Sequence, residues 1–431
     1  MSYQLIVCLI VLIIMIVGFL WHKRPYGVVA MLCVAILAVT GVIDEPTAFS
    51  GFSHNTTILV ATMMVVAGAI GKTSLALKIR QRMAVIQGKN GILLVLLIIA
   101  FTALLCQIMG MTAVMSIMLL VVQTLDDDSE MSQSRMYFLC AATICAWFGR
   151  IPIGMGAALP LQQNAYYEGL VNGNSAYLLG MFDYFKVGII PTICLSLYCL
   201  FAWKLIPKQK IDIAAVSAGS STSAQETLPK EKETVIFIVF LAVMIAFIFS
   251  KKLGALIYLI PFLGVLVLIY TKALSVREVV ATLSSDMVFM VAGVLVISSA
   301  LSSSGAGEFV GRLILAILGD HPSSLLVISV FAIATTIMTT FLSNTGTVAI
   351  MTPLAVSTAI AGGMNPKAVV LVIFASSCLA IAFPTGCSAA TMAYAVGKFN
   401  PIKMLRFTIP FLLIGLTSLI ISAEIFYPVY N

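Results

Sequence analysis

The sequence predicts an all-α polytopic membrane protein of two inverted-topology repeats, each holding a re-entrant hairpin and a broken transmembrane helix. Three observations carry this. Of the 431 residues, 61% are hydrophobic and only 10% are charged, more apolar sequence than a soluble domain needs. Many runs of about 17–25 residues carry no charge, the length that spans ~30 Å of hydrocarbon. Finally, small polar turns interrupt two of these runs in corresponding places, Gly110-Met111-Thr112 and Ser343-Asn344-Thr345. Polar breaks at membrane depth, found twice in one chain, are what a midplane site built from internal repeats looks like.

Apolar segments lie near 4–21, 26–42 and 57–71, followed by a longer region at 91–124 that contains the Gly-Met-Thr break. A segment at 136–168 is interrupted by Gly and Pro, and 181–206 completes the first half. The second half repeats the order at 233–250, 253–271, 286–301, 323–360 with the Ser-Asn-Thr break, 368–397 with an interruption, and 404–428. Residues 1–206 are therefore read as repeat 1, 207–232 as a linker and 233–431 as repeat 2. The linker's Ser, Gly and Thr composition has nothing to bury. Thr112 and Met118 are answered by Thr345 and Met351 at an offset of 233, and Pro152-Ile153-Gly154 by Pro384-Thr385-Gly386 at an offset of 232. Ile190-Pro191 is answered by Ile409-Pro410. The first run, near Tyr3 to Leu20, lacks a basic leader and a small-residue cleavage site, and reads as a span rather than a signal peptide.

Lys and Arg set the orientation. His22-Lys23-Arg24, the cluster from Lys72 to Lys89, and Lys208, Lys210, Lys230 and Lys232 all fall on the cytoplasmic side if 91–124 enters and leaves there. The first half then starts outside and the second inside, which makes the repeats inverted. Lys251-Lys252 breaks the rule at one tight turn. The expected location is the plasma (inner) membrane, multi-pass, with a cytoplasmic linker.

The net charge of +7 is no nucleic-acid signal, because the basic residues sit in loops between spans. The nine cysteines fall in or beside apolar stretches without a C-x-x-C pair, and read as small buried hydrophobes. The three histidines are scattered, so no metal cluster or catalytic triad is expected. No P-loop, H-E-x-x-H or Gly-x-Ser-x-Gly pattern is present, which argues against an ATP-driven pump and an intramembrane enzyme. No cofactor is expected.

Non-helical backbone in a bilayer is tolerated only where protein or a water-filled cavity satisfies it. The two hairpin tips and the breaks at Gly149–Gly156 and Ala382–Ser388 therefore point to one cavity. Freed N–H groups at helix starts favour anions and freed carbonyls favour cations, so such a pocket suits a carboxylate beside a small cation. Arg150 admits three readings: its guanidinium meets an anionic substrate, it fills the space of a bound cation, or it reaches the surface or pairs with Asp183. Asp183 and Lys186 read as interfacial. Asp126-Asp127-Asp128 with Glu130 read as a solvated turn, and Asp286 and Glu308 as solvated flanks of a span. The stripe Met109, Met111, Met115 and Met118 reads as adaptable packing. Lys72 to Lys89 reads as an amphipathic surface helix.

With these residues in place, the chain resembles the divalent anion–sodium symporter family, the sodium-coupled di- and tricarboxylate and sulfate transporters of the ion transporter superfamily. The resemblance rests on GVIDEPTAFSGFSHNTTILVATMMVVAGAIGKTSLA, SNTGTVAIMTPLA, FPTGCSAATMAYAVGKFNP and FDYFKVGIIP, and runs nearly the whole length. It implies a homodimer in the lipid bilayer that carries a small anionic substrate by an elevator motion of a transport domain against a fixed scaffold. It implies substrate contacts from Ser343, Asn344, Thr345, Thr112, Thr385 and Gly386, to which the reading of the residues adds Arg150. Sodium ion would be held in the second half by Thr340, Ser343, Asn344, Pro384 and Cys387. The first half departs from the pattern. Gly110-Met111-Thr112 keeps only the Thr, and with Gly149 and Gly154 forms a degenerate half-site. A smaller, asymmetric or differently charged anion is expected, with Arg150 in place of one sodium ion. The family's first span, ahead of the two repeats, is expected to be missing. The expected function is secondary active transport of a carboxylate or other small anion. The alternatives are an exchanger without sodium coupling and a transport-deficient binding subunit.

Overall fold

Helices with an apolar outer face build the molecule. The structure, a computed structural model, describes residues 2–20, 24–70, 72–74, 91–123, 125, 131–172, 174–209, 211, 228–248, 253, 256, 258–319, 322–384 and 386–430. All regular structure among these residues is helical, without a strand. Thr385, most of Lys72–Lys89, Asp126-Asp127-Asp128, Glu130, Lys251-Lys252 and the core of the linker lie outside the described residues.

The chain opens with α1 (Tyr3–Leu20) and α2 (Tyr26–Val39). On α1, Cys8, Val11, Met15 and Phe19 are buried while Ile6, Ile10, Ile13 and Val17 are exposed. A helix in water would carry charge on that outer face. An apolar one faces lipid, since large exposed apolar patches are rare on soluble monomers. A short α3 (Glu45–Ser53) is capped by Asp44, which accepts from the Thr47 amide at 3.1 Å, and leads into α4 (Asn55–Ile70). Next, α5 (Gly91–Ile108) and α6 (Met111–Val122) fold against one another as the first hairpin. The pair α7 (Gln133–Trp147) and α8 (Met155–Ala165) is separated by the Gly149 to Gly154 break, and α9 (Asp183–Ala202) follows.

Beyond the linker come α10 (Lys230–Ile248), α11 (Leu259–Tyr270), α12 (Val276–Leu283) and α13 (Asp286–Ser303). Then α14 (Ala306–Leu318) precedes the second hairpin, α15 (Ser324–Phe341) and α16 (Asn344–Ala361). The second interrupted pair is α17 (Lys367–Ser377) and α18 (Ser388–Gly397), and α19 (Pro401–Phe426) ends the fold.

The exposed apolar face of α1 recurs on α9 (Leu197, Phe201), α10 (Ile238, Leu241, Ile245) and α19 (Leu413, Ile421). Inside this ring α7 and α17 are buried on every side, from Met136 to Ala146 and from Ala368 to Ser377. Four helical stretches, Glu45–Ile70, Asp183–Leu205, Val276–Ser303 and Pro401–Phe426, are long and apolar enough to cross a bilayer. The molecule is an integral membrane protein.

Packing places the site. α2 lies along α13, α9 along α19 and α14 along α16. Each hairpin packs on its neighbouring interrupted pair, α15 and α16 on α17, α5 and α6 on α7. α8 packs on α4, where Ala157 and Ala158 join a cluster with Leu59 and Met63 of α4 and Val239 and Val243 of α10.

Several elements differ from the sequence reading. The span expected at 286–301 is preceded by α12, whose Ser275 and Glu278 form a capping box. The span expected at 57–71 is helical from Glu45. α14 was not expected at all: it carries Glu308 and Arg312, ion-paired at 2.6 Å, so a search for uncharged runs passes over it. Asp286 is an exposed flank of its span, as expected. Its carboxylate also accepts from the amides of Tyr26 (3.0 Å) and Gly27 (2.7 Å), satisfying the open start of α2. Asp183, by contrast, is buried, accepting from the Gly180 amide and Tyr427 Oη, both at 2.8 Å, with Lys367 Nζ at 3.9 Å. Neither carboxylate pairs with Arg150.

Candidate functional site

The second hairpin turns at Leu342 and Ser343, both in extended backbone, which stops α15 and restarts the chain as α16. Ser343 caps α16, its Oγ accepting from the Gly346 amide at 3.2 Å. That hydroxyl also lies 2.7 Å from Tyr26 Oη on α2. The amides of Asn344 and Thr345 belong to the first turn, where no carbonyl of the helix can reach them.

The Asn344 carboxamide reaches across to the second break. The carbonyl oxygens of Gly386 (2.8 Å) and Ser377 (3.0 Å) and Thr339 Oγ1 (3.0 Å) face one end of it, so that end is the NH2. Ser377 ends α17 and Gly386 precedes α18, so this one side chain binds hairpin tip to break. At Gly386 a Cβ would come within 2.4 Å of the Ala380 carbonyl oxygen, so only glycine fits the crossing. Cys387 then caps α18, its Sγ accepting from the Ala390 amide at 3.4 Å and lying 3.6 Å from Cys145 Sγ.

These parts enclose a cavity of about 550 Å³. Ser343, Asn344, Thr345, Gly386, Cys387, Ser388 and Thr391 line one side. Met111, Phe148 and Leu159 come to it from the first half, with Gln162, Gln163 and Tyr166 of α8 and Met287 of α13. None of the described lining residues is charged. Two helix starts, those of α16 and α18, therefore supply the positive end of the local field.

Other expected site residues lie off the wall. Thr340 donates back to the Thr336 carbonyl at 2.7 Å, and the Pro384 carbonyl accepts from Thr391 Oγ1 at 2.5 Å. Thr112 and Gly110 are exposed outside the cavity wall, whereas Met111 between them is part of it. Met111 is thus more than packing, while Met115 and Met118 are fully buried.

Arg150 also stands off the wall. It is buried, with Nε donating to the Ala146 carbonyl (3.3 Å) and Nη2 to the Ala375 carbonyl (3.2 Å), while Nη1 has no partner. Gly188 of α9 makes the room, since a Cβ there would meet Arg150 Cδ at 2.6 Å. Ala146 and Ala375 lie in the last turns of α7 and α17, so the guanidinium sits between two negative helix ends. Gly149 and Gly154 shape this break. Both have positive φ, +69° and +57°, and a Cβ on Gly154 would meet the Gln107 carbonyl oxygen at 2.7 Å.

Two groups of residues went unread in the sequence. Gln107 donates to the carbonyls of Ala103 (2.9 Å) and Trp147 (2.8 Å) and accepts from the Ile151 amide (3.0 Å), tying first hairpin to first break as Asn344 ties the second. Gln162 donates to Tyr166 Oη (2.8 Å), and Gln163 to Thr352 Oγ1 (2.8 Å). The signal was present: amides standing in the apolar stretches LLCQIMG and LPLQQNA. Among the described residues no group of three His, Cys, Asp or Glu side chains is placed to hold a metal ion.

Comparison with known proteins agrees with this fold. The YdaH transporter of Alcanivorax borkumensis shares the fold, with a TM-score of 0.61 over 97% of this chain and 100% of that one, at 11% identity. MtrF of Neisseria gonorrhoeae, described among antimetabolite efflux pumps, superposes with a TM-score of 0.56 over 100% of this chain and 96% of that one, at 13% identity. An uncharacterized transporter of Synechocystis is 29% identical over 137 residues, 32% of this chain and 22% of that protein. One from Methanocaldococcus jannaschii is 26% identical over 231 residues, 52% of this chain and 51% of that protein. The matches thus span about a fifth and about half of these relatives' own lengths. The family model described as the sodium:sulfate symporter transmembrane region matches residues 1–430. An all-helical membrane fold with two hairpin tips and two helix breaks around one uncharged cavity, matched over its length by that model, belongs to the sodium:sulfate symporter family of membrane transporters.

Proposed function

We propose that this chain is a secondary active transporter of a small organic anion, and that the cavity between the second hairpin and the second break is its binding site. The observation that carries the reading is the convergence of the α16 and α18 starts on one uncharged cavity, with Asn344 locking tip to break. Helix starts bind anions without a formal charge nearby, so the site holds its ligand without paying for a fixed buried cation on its wall. Sodium ion is the coupling cation, taken in the second half by backbone carbonyls and hydroxyls near Thr340, Ser343, Asn344, Pro384 and Cys387. Hard oxygen donors suit it. In the first half Arg150 takes the place of the ion, at the ends of α7 and α17. An anion exchanger that runs without sodium is the second reading, favoured by that same built-in charge.

The halves act as inverted repeats, with hairpins and interrupted pairs moving against the remaining helices in an elevator motion. The working form is a homodimer in the plasma membrane, with the linker on the cytoplasmic side. Purified protein in proteoliposomes tests the core of this. An inward sodium gradient should drive anion uptake, and Asn344→Ala should abolish uptake while the protein still elutes as a folded species. Uptake unchanged in Asn344→Ala would remove the hairpin tip from the site.

A further inference from the structure

We propose that the anion carried here has one charged end and an apolar body: a monocarboxylate, not a dicarboxylate or an inorganic oxyanion. The inference rests on the reading that the cavity is the transport site, and deepens it by naming the ligand class.

The hydroxyls and the helix starts at the cavity come from the second half, while the first half brings Met111, Phe148 and Leu159 with the neutral side chains Gln162, Gln163 and Tyr166. Ser343, Thr345, Ser388 and Thr391 bring hydroxyls to it, beside the open starts of α16 and α18. Of the positions that answer these in the first half, at the offset of 232 to 233, only Thr112 carries a hydroxyl, and it stands outside the cavity wall. Asn344 is answered by Met111 and Thr391 by Leu159. Met111 and Leu159 line the cavity themselves, and Phe148 and Phe374 extend that apolar wall. A thioether is a weak acceptor and no donor.

The polar side chains of α8 are partly engaged, leaving one Gln163 N–H and the Tyr166 O–H as neutral donors. Gln162 donates to Tyr166 Oη at 2.8 Å and to Met287 Sδ at 3.2 Å, which uses both of its N–H bonds. Gln163 donates to Thr352 Oγ1 at 2.8 Å. Arg150 is off the wall, with Nε and Nη2 held by the Ala146 and Ala375 carbonyls.

A dicarboxylate seated with one end at Asn344 would bring its second carboxylate to a wall of Met111, Phe148 and Leu159 that offers no charge and only the neutral donors of α8. A carboxylate buried without strong donors or a counter-charge is disfavoured. A tetrahedral dianion such as sulfate needs strong donors on several sides, and here both helix starts come from the second half. A monocarboxylate meets both walls on their own terms, its charge on the helix starts and its chain on the apolar residues. The volume of about 550 Å³ leaves room for that chain.

The test uses the full-length protein with pentanoate, glutarate and sulfate, each in sodium and in choline medium. Melting temperature and competition for uptake in proteoliposomes are both read. Pentanoate should stabilise at concentrations at least ~30-fold below glutarate, because a site rejects a ligand group it cannot pair far more strongly than it rejects a missing methylene. Sulfate should not stabilise. Within the series from acetate to hexanoate, affinity should rise about three-fold or more for each added methylene that stays on the apolar wall. Met111→Asn should shrink the pentanoate-to-glutarate ratio at least ten-fold, and Met111→Leu should keep it. Glutarate or sulfate winning in the wild type overturns the class while leaving the transport site in place. A flat chain-length series overturns it too, and needs no variant. If no carboxylate or sulfate binds or is carried, this inference and the transport reading fall together.

Discussion

Arg150 shows what a single residue can demand of a membrane fold. A charged side chain at bilayer depth costs about 2.5–3.5 kcal/mol on the insertion scale, and no carboxylate among the described residues offsets it. Two carbonyls at helix ends do so in part, at 3.2 and 3.3 Å. The Ala146 carbonyl also accepts from Thr192 Oγ1 at 3.0 Å, so it keeps a partner if the guanidinium is removed. Arg150→Met should therefore change stability by no more than about 1–2 kcal/mol, because the desolvation relieved offsets the hydrogen bonds lost. If the guanidinium stands where a cation would bind, the variant should gain a sodium-dependent rise in melting temperature that the wild type lacks at this half-site. A variant that unfolds, or one whose sodium response equals the wild type's, would make Arg150 a structural residue. The sequence showed that this residue was expensive. It left three readings open because the partners, Ala375 and Gly188, lie far along the chain and only folding brings them close.

At the scale of elements, the breaks are held by geometry that a side chain would spoil. Gly154 has φ +57°, and a Cβ there would meet the backbone oxygen of Gln107 at 2.7 Å, an atom that cannot swing away. Gly154→Ala should cost about 1–3 kcal/mol from the backbone strain alone, more with the clash. Gly110, at the tip of the first hairpin, has φ −66° and open space around it, so Gly110→Ala should cost well under 1 kcal/mol. Thermal melts in one detergent check the contrast, and equal losses at the two glycines would show that the break is not strained as described. Elements of this kind were legible where hydrophobic runs met Gly and Pro, which is how both hairpins and both interrupted helices were found. Elements with mixed composition were not. α14 and α12 carry charges with local partners, Glu308 with Arg312 and Glu278 with Ser275, so their apolar residues form no uncharged run. The amides at Gln107, Gln162 and Gln163 were visible, but their partners belong to other elements, and an unpaired amide in a sequence has no direction.

Across the whole molecule, a hydrogen bond ties the tip of the second hairpin to α2. Tyr26 begins α2, which Asp286 of α13 holds through the Tyr26 and Gly27 amides. Its hydroxyl meets Ser343 Oγ at 2.7 Å, and its ring lies 3.2 Å from where a Cβ on Gly346 would stand. A chain of contacts thus runs from α13 through α2 to the hairpin tip that lines the cavity. Any motion that carries the hairpin past α2 must break the Tyr26–Ser343 bond and slide Gly346 off the ring. Tyr26→Phe keeps the ring and removes one neutral hydrogen bond, worth about 0.5–1.5 kcal/mol. If leaving this contact limits the cycle, the maximal uptake rate should rise by up to about ten-fold for that energy, while melting temperature falls by only a few degrees. Gly346→Ala should act in the same sense on the same contact, crowding the tip against the ring and destabilising this arrangement. Single-turnover exchange in proteoliposomes, read beside steady-state uptake, separates the two steps. A Tyr26→Phe protein with the same maximal rate and the same anion affinity as the wild type would show that this contact only packs the fold.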